Sequence, residues 1–339
     1  MINRLLGGLG RSLIFAGVVL LLFVTYQLWG TKIAEEGHQE DLTRSLGRSL
    51  GLSKSATSDS SDPDAIAQQL TNKLANIDPA TAAAAAAPKE GDAGGFIDIP
   101  KIGLKAKTFV EGVSKNDLRK GPGHYPGTPL PGNAGNAAIA GHRTTYGAPF
   151  NRIDELVPGD KVVAFTPQGR FVYSVMESPS ARRQGGKNDT WGDGWFAVNP
   201  DDVSVLAHTD DNRLTLTACH PKYSAKLRII VQAKLINDPA AAPTTTAPTA
   251  NTGNSETVSP PPAKTDTTED MIAGDPTELT PSMMFLGVVI GLWLVSMGIA
   301  AFLRRGDRRY WPVYVVTVLA SAAPLWFCFV HMDRFLPSF

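Results

Sequence analysis

The sequence predicts an all-β domain, a barrel or a sandwich, held between membrane-crossing helices near the two ends of the chain. Three observations carry this. Apolar and polar residues alternate over short lengths in the middle of the chain, as in FIDIPKIGL, AAIAGHR, KVVAFTP, RFVYSVMES, VSVLAHT, RLTLTAC and LRIIVQAKL. Turn-forming clusters such as TPQGR and HTDDNR separate these runs, and few stretches carry a helical period. Long uncharged segments lie toward both ends.

Residues 1–11 form a short N-terminus with Arg4 and Arg11. Residues 12–30 are the first expected span, opening SLIFAGVVLLLFVTYQLW, close to the ~20 helical residues that cross a bilayer core. Tyr26 and Trp29 stand where an interfacial aromatic belt belongs. A cleaved signal peptide is the rival, but bulky TYQLWGTK follows the run where small residues would mark cleavage, so an uncleaved anchor is expected. Residues 31–95 are polar and small, with a serine-rich stretch and an alanine run. They read as an extracytoplasmic stalk, partly helical or disordered, with one amphipathic helix through Ile66, Leu70, Leu74 and Ile77.

Residues 96–236 are the right size for one domain, and Asn151 to Leu156 suit a short helical turn. Residues 237–281 are rich in Pro, Thr and Ala, bury no core and read as a linker. Two more spans follow at 283–303 and 311–330. The basic loop 304–310 lies between them, and a tail covers 331–339. With a cytoplasmic N-terminus, alternate crossings put Arg304, Arg305, Arg308 and Arg309 on the same side as Arg4 and Arg11. The central domain and the tail then lie outside a multi-pass cell membrane protein.

The chain carries 32 Lys+Arg against 32 Asp+Glu. That balance excludes the basic excess of a nucleic-acid binder. Two cysteines are too few for a disulfide scaffold or a multi-cysteine zinc site, and no metal-ligand motif occurs, so no cofactor or metal is expected. Cys328 falls in the third span and reads as membrane packing, unable to pair with Cys219.

Cys219 ends the run RLTLTAC, and Pro221 stops the strand two residues later. An isolated cysteine is commonly a small buried hydrophobe. Unpaired outside the cytoplasm, it is an oxidation liability without a use, which points to chemistry. A nucleophilic sulfur needs a base and charge compensation. His220 is adjacent, but strand neighbours face opposite ways. His124 and His208 read as surface histidines. His142 ends the run after Ala140 and Gly141, mirroring Cys219. Arg228 heads the next run, placed to return antiparallel beside Cys219 with a five-donor cation.

These residues carry a resemblance. LTLTAC with Pro221 and Arg228 resembles the signature of the sortases, cysteine transpeptidases of Gram-positive surfaces, and Ala140-Gly141-His142-Arg143 resembles their histidine motif. KGPGHYPGTPLPGNAGNAAIAGHRTTYGAPF and the residues CHPKYS are similar to the class E sortases of actinobacteria. The resemblance implies an eight-stranded β-barrel, with Cys219 as nucleophile, His142 as general acid/base and Arg228 as transition-state stabiliser. It further implies surface proteins bearing an LAxTG or LPxTG sorting signal as substrates, cut between Thr and Gly through a thioacyl-enzyme. A peptidoglycan precursor or cross-bridge amine is the implied acceptor, with water competing. Tyr146 matches a tyrosine tied to the LAxTG preference, and Thr217 and the loop 182–195 are expected to line the groove. A papain-like or NlpC/P60-type cell-wall cysteine hydrolase is the enzymatic alternative. There cysteine precedes histidine and starts a helix, whereas here His142 leads by 77 residues. The non-enzymatic alternative is a tethered surface module with a structural cysteine.

Overall fold

In the computed structural model of the protein, residues 2–58, 61–179, 191–241, 275–305 and 311–336 are described. The alternating runs become β1 (Ala93–Ile99), β2 (Leu104–Glu111), β3 (Gly123–His124), β4 (Asn136–Ala140), β5 (Lys161–Thr166), β6 (Gly169–Val175), β7 (Phe196–Val198), β8 (Arg213–His220) and β9 (Leu227–Leu235). The order β6-β5-β1-β2-β3-β4-β8-β9 closes through β6–β9 pairing into an eight-stranded barrel. The short β7 is an addition, paired with the first part of β9. FIDIPKIGL splits into two strands because Gly103, at φ 76, turns the chain back on itself. VSVLAHT departs from expectation: Val203–Leu206 is a 3-10 turn, its start capped by the Asp202 carboxylate accepting from Ser204 N–H. The turn foreseen near Asn151 is the 3-10 segment Ile153–Glu155.

One phase of the alternation fills the barrel. Ile97, Ile99, Ala137, Ile139, Val162, Ala164, Phe171, Tyr173, Leu214, Leu216, Ala218, Ile229, Val231 and Ala233 form its core. The opposite phase therefore faces outward, and on β4, β8 and β9 it leads to the candidate residues.

On β1 and β5 the outward phase is also apolar, at Phe96, Val163 and Phe165, and needs a cover. Helices α2 (Thr31–Ser49) and α3 (Pro63–Ala75) supply it, burying Leu46, Ile66, Ala67, Leu70 and Leu74 against those strands. Asp62 caps α3 by accepting from Asp64 N–H, and Pro63 occupies its first turn, where a missing N–H costs nothing. Residues 31–49 and 63–75 are thus docked on the barrel, where the sequence suggested a stalk. At the other boundary, Ala240 is buried in the barrel core and its N–H donates to Gly132 O, so the ordered fold runs past residue 236. Residues 242–274 of the expected linker lie outside the described residues.

A second unit comprises residues 1–30 and 272–338. It holds α1 (Ile2–Thr25), α4 (Leu279–Arg305) and α5 (Trp311–Phe335), and among the described residues three helical stretches are long and apolar enough to cross a membrane. The helices of this unit share an aromatic seam. Phe15 stacks on Trp293 at 4.4 Å, and Tyr26 meets Trp326 edge-on at 5.2 Å. Cys328 is buried beside Tyr26 and Phe329.

Candidate active site

β8 is the middle of three neighbouring strands. On one side it runs parallel to β4, with Ala140 opposite Thr217 and Gly141 N–H donating to Thr217 O at 3.0 Å. His142 and Cys219 each follow that pair by two residues. On the other side β8 runs antiparallel to β9, and Cys219 is directly opposite Arg228. Core residues Ile139, Ala218 and Ile229 fix the inward phase, so Thr217, Cys219 and Arg228 belong to the outward one. Cysteine and arginine thus share one barrel face, and the chain leaving the neighbouring β4 carries His142 two residues after its last paired residue. His220, one residue beyond Cys219, takes the opposite phase and packs against the Trp195 ring at 5.2 Å.

Cys219 is partly exposed and has no disulfide. Burial pushes its thiol above the ordinary value, while the guanidiniums of Arg228 and then Arg143 pull it down without cancelling the rise. Arg228 is itself buried and donates from Nη1 to Ala225 O and Leu227 O, both at 3.1 Å, which fixes its head in the β8–β9 turn. His142 is buried and its ring lies 5.2 Å from that of Tyr146. Tyr146, expected to meet the substrate, is also buried, and its hydroxyl accepts from Arg119 Nε at 2.9 Å. Thr217, two residues before Cys219 on the same face, shares a 2.9 Å hydrogen bond with the Tyr125 hydroxyl. Of the expected loop 182–195, residues 182–190 lie outside the described residues.

Two residues not assigned a role from sequence stand out. Tyr125 follows β3 directly, and desolvation raises its phenol despite the bond to Thr217. Arg143 is only 1% exposed. It reaches Cys219 O and His220 Nδ1 from Nη1, each at 3.5 Å, and Asp154 from Nη2 at 2.7 Å. One guanidinium therefore clasps the histidine loop to the end of the cysteine strand. The signal was present in the motif, where arginine follows the histidine, but burial of a cation cannot be read from spacing. His124 differs from its surface reading. It is buried and paired through Nδ1 with Glu111 Oε2 at 2.7 Å, because β3 is wedged between β2 and β4. His208 is exposed as expected. Among the described residues no His, Cys, Asp and Glu cluster suits a metal ion.

A family model described as the Sortase domain matches residues 97–236. Sortase D of Bacillus subtilis is 30% identical over 155 residues, covering 45% of this chain and 68% of that protein. The chain belongs to the sortase family. Sortase SrtE1 of Streptomyces coelicolor is 29% identical over 245 residues, 68% of this chain and 57% of the relative, so the match spans little more than half of that protein. Sortase SrtE2 of the same organism is 24% identical over 246 residues, 67% of this chain and 81% of the relative. The class E likeness drawn from the motifs is thus matched by class E sortases among the relatives. The papain-like alternative requires a helix-borne cysteine, whereas the sortase Cys219 lies within β8.

Proposed function

We propose that this chain is a multi-pass, membrane-anchored cysteine transpeptidase. It would cut surface proteins at an LAxTG-type sorting signal and join them to a peptidoglycan amine. The supporting observation is the arrangement on β4, β8 and β9, with Cys219 directly opposite Arg228 and the last paired residue of β4 opposite Thr217, two residues before His142 and Cys219 respectively. The Cys219 thiolate attacks the threonine carbonyl carbon, and the developing oxyanion is compensated by Arg228. His142, as imidazolium, gives its proton to the glycine nitrogen as the C–N bond breaks, leaving a thioester on Cys219. An incoming amine gives up a proton to His142, attacks the thioester carbonyl and expels the sulfur. Water in place of the amine gives hydrolysis.

Thr217 and Tyr125 supply polar groups next to the nucleophile for the substrate backbone. The arginines on one side of the three apolar helices favour a cytoplasmic N-terminus and an external catalytic domain. The test incubates the full chain with LAxTG and LPxTG peptides and a glycine-type amine, read by mass spectrometry. We expect a thioacyl adduct at Cys219 and a transpeptidated product, both lost in Cys219→Ala. Product formation by that variant would overturn the assignment.

A further inference from the structure

The helix that begins right after the first apolar helix touches the histidine loop, and the sortase chemistry proposed above gives no reason for it. Gln39 fixes α2 along the barrel. Its Nε2 donates to Thr108 O at 2.9 Å and Lys120 O at 2.7 Å, and its Oε1 accepts from Thr108 N–H at 2.9 Å. This side-chain amide replaces a missing strand partner. β3 is only two residues long and pairs with Val110 and Glu111, leaving the edge of β2 open at Thr108. Thr43 adds a hydrogen bond to the Thr108 hydroxyl at 2.8 Å.

The other end of α2 reaches residues 146–148. Thr31 Oγ1 accepts from Tyr146 N–H at 3.3 Å. Glu35, 0% exposed, is ion-paired with Lys107 at 2.6 Å. Its carboxylate lies so close to Gly147 that a Cβ there would come within 2.6 Å of Oε2. The turn it presses on is left-handed at three consecutive residues, with φ of 50 at Tyr146, 69 at Gly147 and 44 at Ala148. Two of these are not glycine, and such conformations persist only where the surroundings enforce them. The Tyr146 ring then lies against His142, with its hydroxyl held by Arg119.

We infer that α2 is a positioning element of the active site: Thr31 and Glu35 hold the turn at residues 146–148, and through Tyr146 they set the ring of His142. Tyr146 is then a positioning residue for the acid/base, fixed from behind by a helix distant from it in sequence. The inference rests on the reading of His142 as the acid/base. It goes beyond that reading by making the segment next to the membrane anchor part of the catalytic unit.

The test uses the full chain in lipid nanodiscs with an LAxTG peptide and a glycine-type amine. Four variants are compared with wild type: Thr31→Val, which keeps shape and removes the acceptor; Thr31→Ser, which restores it; Gly147→Ala, which meets Glu35; and His142→Ala. Glu36→Gln, a change at the exposed Lys32 pair on the same helix, is the control. We expect kcat to fall about tenfold in Thr31→Val, the effect of roughly one hydrogen bond, with KM unchanged. Thr31→Ser should return kcat to wild type, Gly147→Ala should lower it at least as far as Thr31→Val, and the control should be silent. Wild-type kcat in Thr31→Val, a loss confined to KM, or no rescue by serine would overturn the inference while His142→Ala remains inactive. Activity in His142→Ala would instead overturn the reading of the acid/base, and the inference with it.

Discussion

The donor set of Arg228 gives the sharpest test of the site. A guanidinium has five N–H donors. Arg228 uses two, both on Nη1, for Ala225 O and Leu227 O, which leaves three for a substrate oxygen. Arg228→Lys keeps the charge but has only three donors. Holding the same two carbonyls leaves one, and the planar fork is gone. Removing a preorganised donor to a developing oxyanion costs on the order of 10²–10³ in kcat, or about 2.7–4 kcal/mol. The assay is steady-state cleavage of an LAxTG peptide by the full chain, with alkylation of Cys219 measured in parallel. We expect kcat to drop by that factor in Arg228→Lys with KM unchanged. Alkylation should persist, because a cation still faces the sulfur. Arg228→Ala removes both fork and charge. Burial of Cys219 is then less compensated, so its alkylation at neutral pH should slow as well. A lysine variant within a few-fold of wild type would show that charge alone suffices and refute the donor argument.

Two further outcomes follow from burial. The Cys219 thiol is raised, so its alkylation rate should go on climbing with pH beyond the point where a free thiol levels off; an earlier plateau contradicts the desolvated site. The linkage has the matching sign: the contribution of this group to stability is present below the unfolded thiol value and is lost as pH rises through the higher folded value. Leu70 is 0% exposed between α3 and the outer barrel face, so Leu70→Ala should cost about 2–5 kcal/mol in chemical denaturation, and a negligible change would mean α3 is not docked there.

The barrel was legible because its strands carry period-two signals with turn residues between them. What escaped had identifiable causes. β3 is two residues long, too short to show any period, and it contains the histidine misread as exposed. The packing of α2 and α3 was announced by VVAF, Val162 to Phe165, an uninterrupted apolar run in β5. A strand covered on both faces reads in this way, but the run does not say which segment supplies the second cover. Cys219, His142 and Arg228 were singled out because each stands at the end or head of an apolar run, and strand register puts Cys219 opposite Arg228. Arg143, Tyr125 and Glu35 were not, because their importance lies in burial and in partners remote along the chain.

The burial of Cys219 works against the role proposed for it. In the proposed mechanism, a thiol raised above its ordinary value makes the attacking thiolate the minority form at neutral pH. Two guanidiniums oppose the rise, one from β9 and one from the histidine loop, and neither is free to move: Arg228 is fixed to the β8–β9 turn and Arg143 to Asp154 and Cys219 O. Fixed cations in a desolvated cleft act more strongly on a charge that develops during reaction than they would in water. In the proposed mechanism the thiolate and the tetrahedral oxyanion both form next to Arg228, so one buried charge would serve two successive steps. A more exposed cysteine would ionise more readily, yet it would meet its oxyanion in a wetter site where the arginine counts for less. On this reasoning the partial burial of Cys219 is a compromise between a scarce nucleophile and a well-compensated transition state.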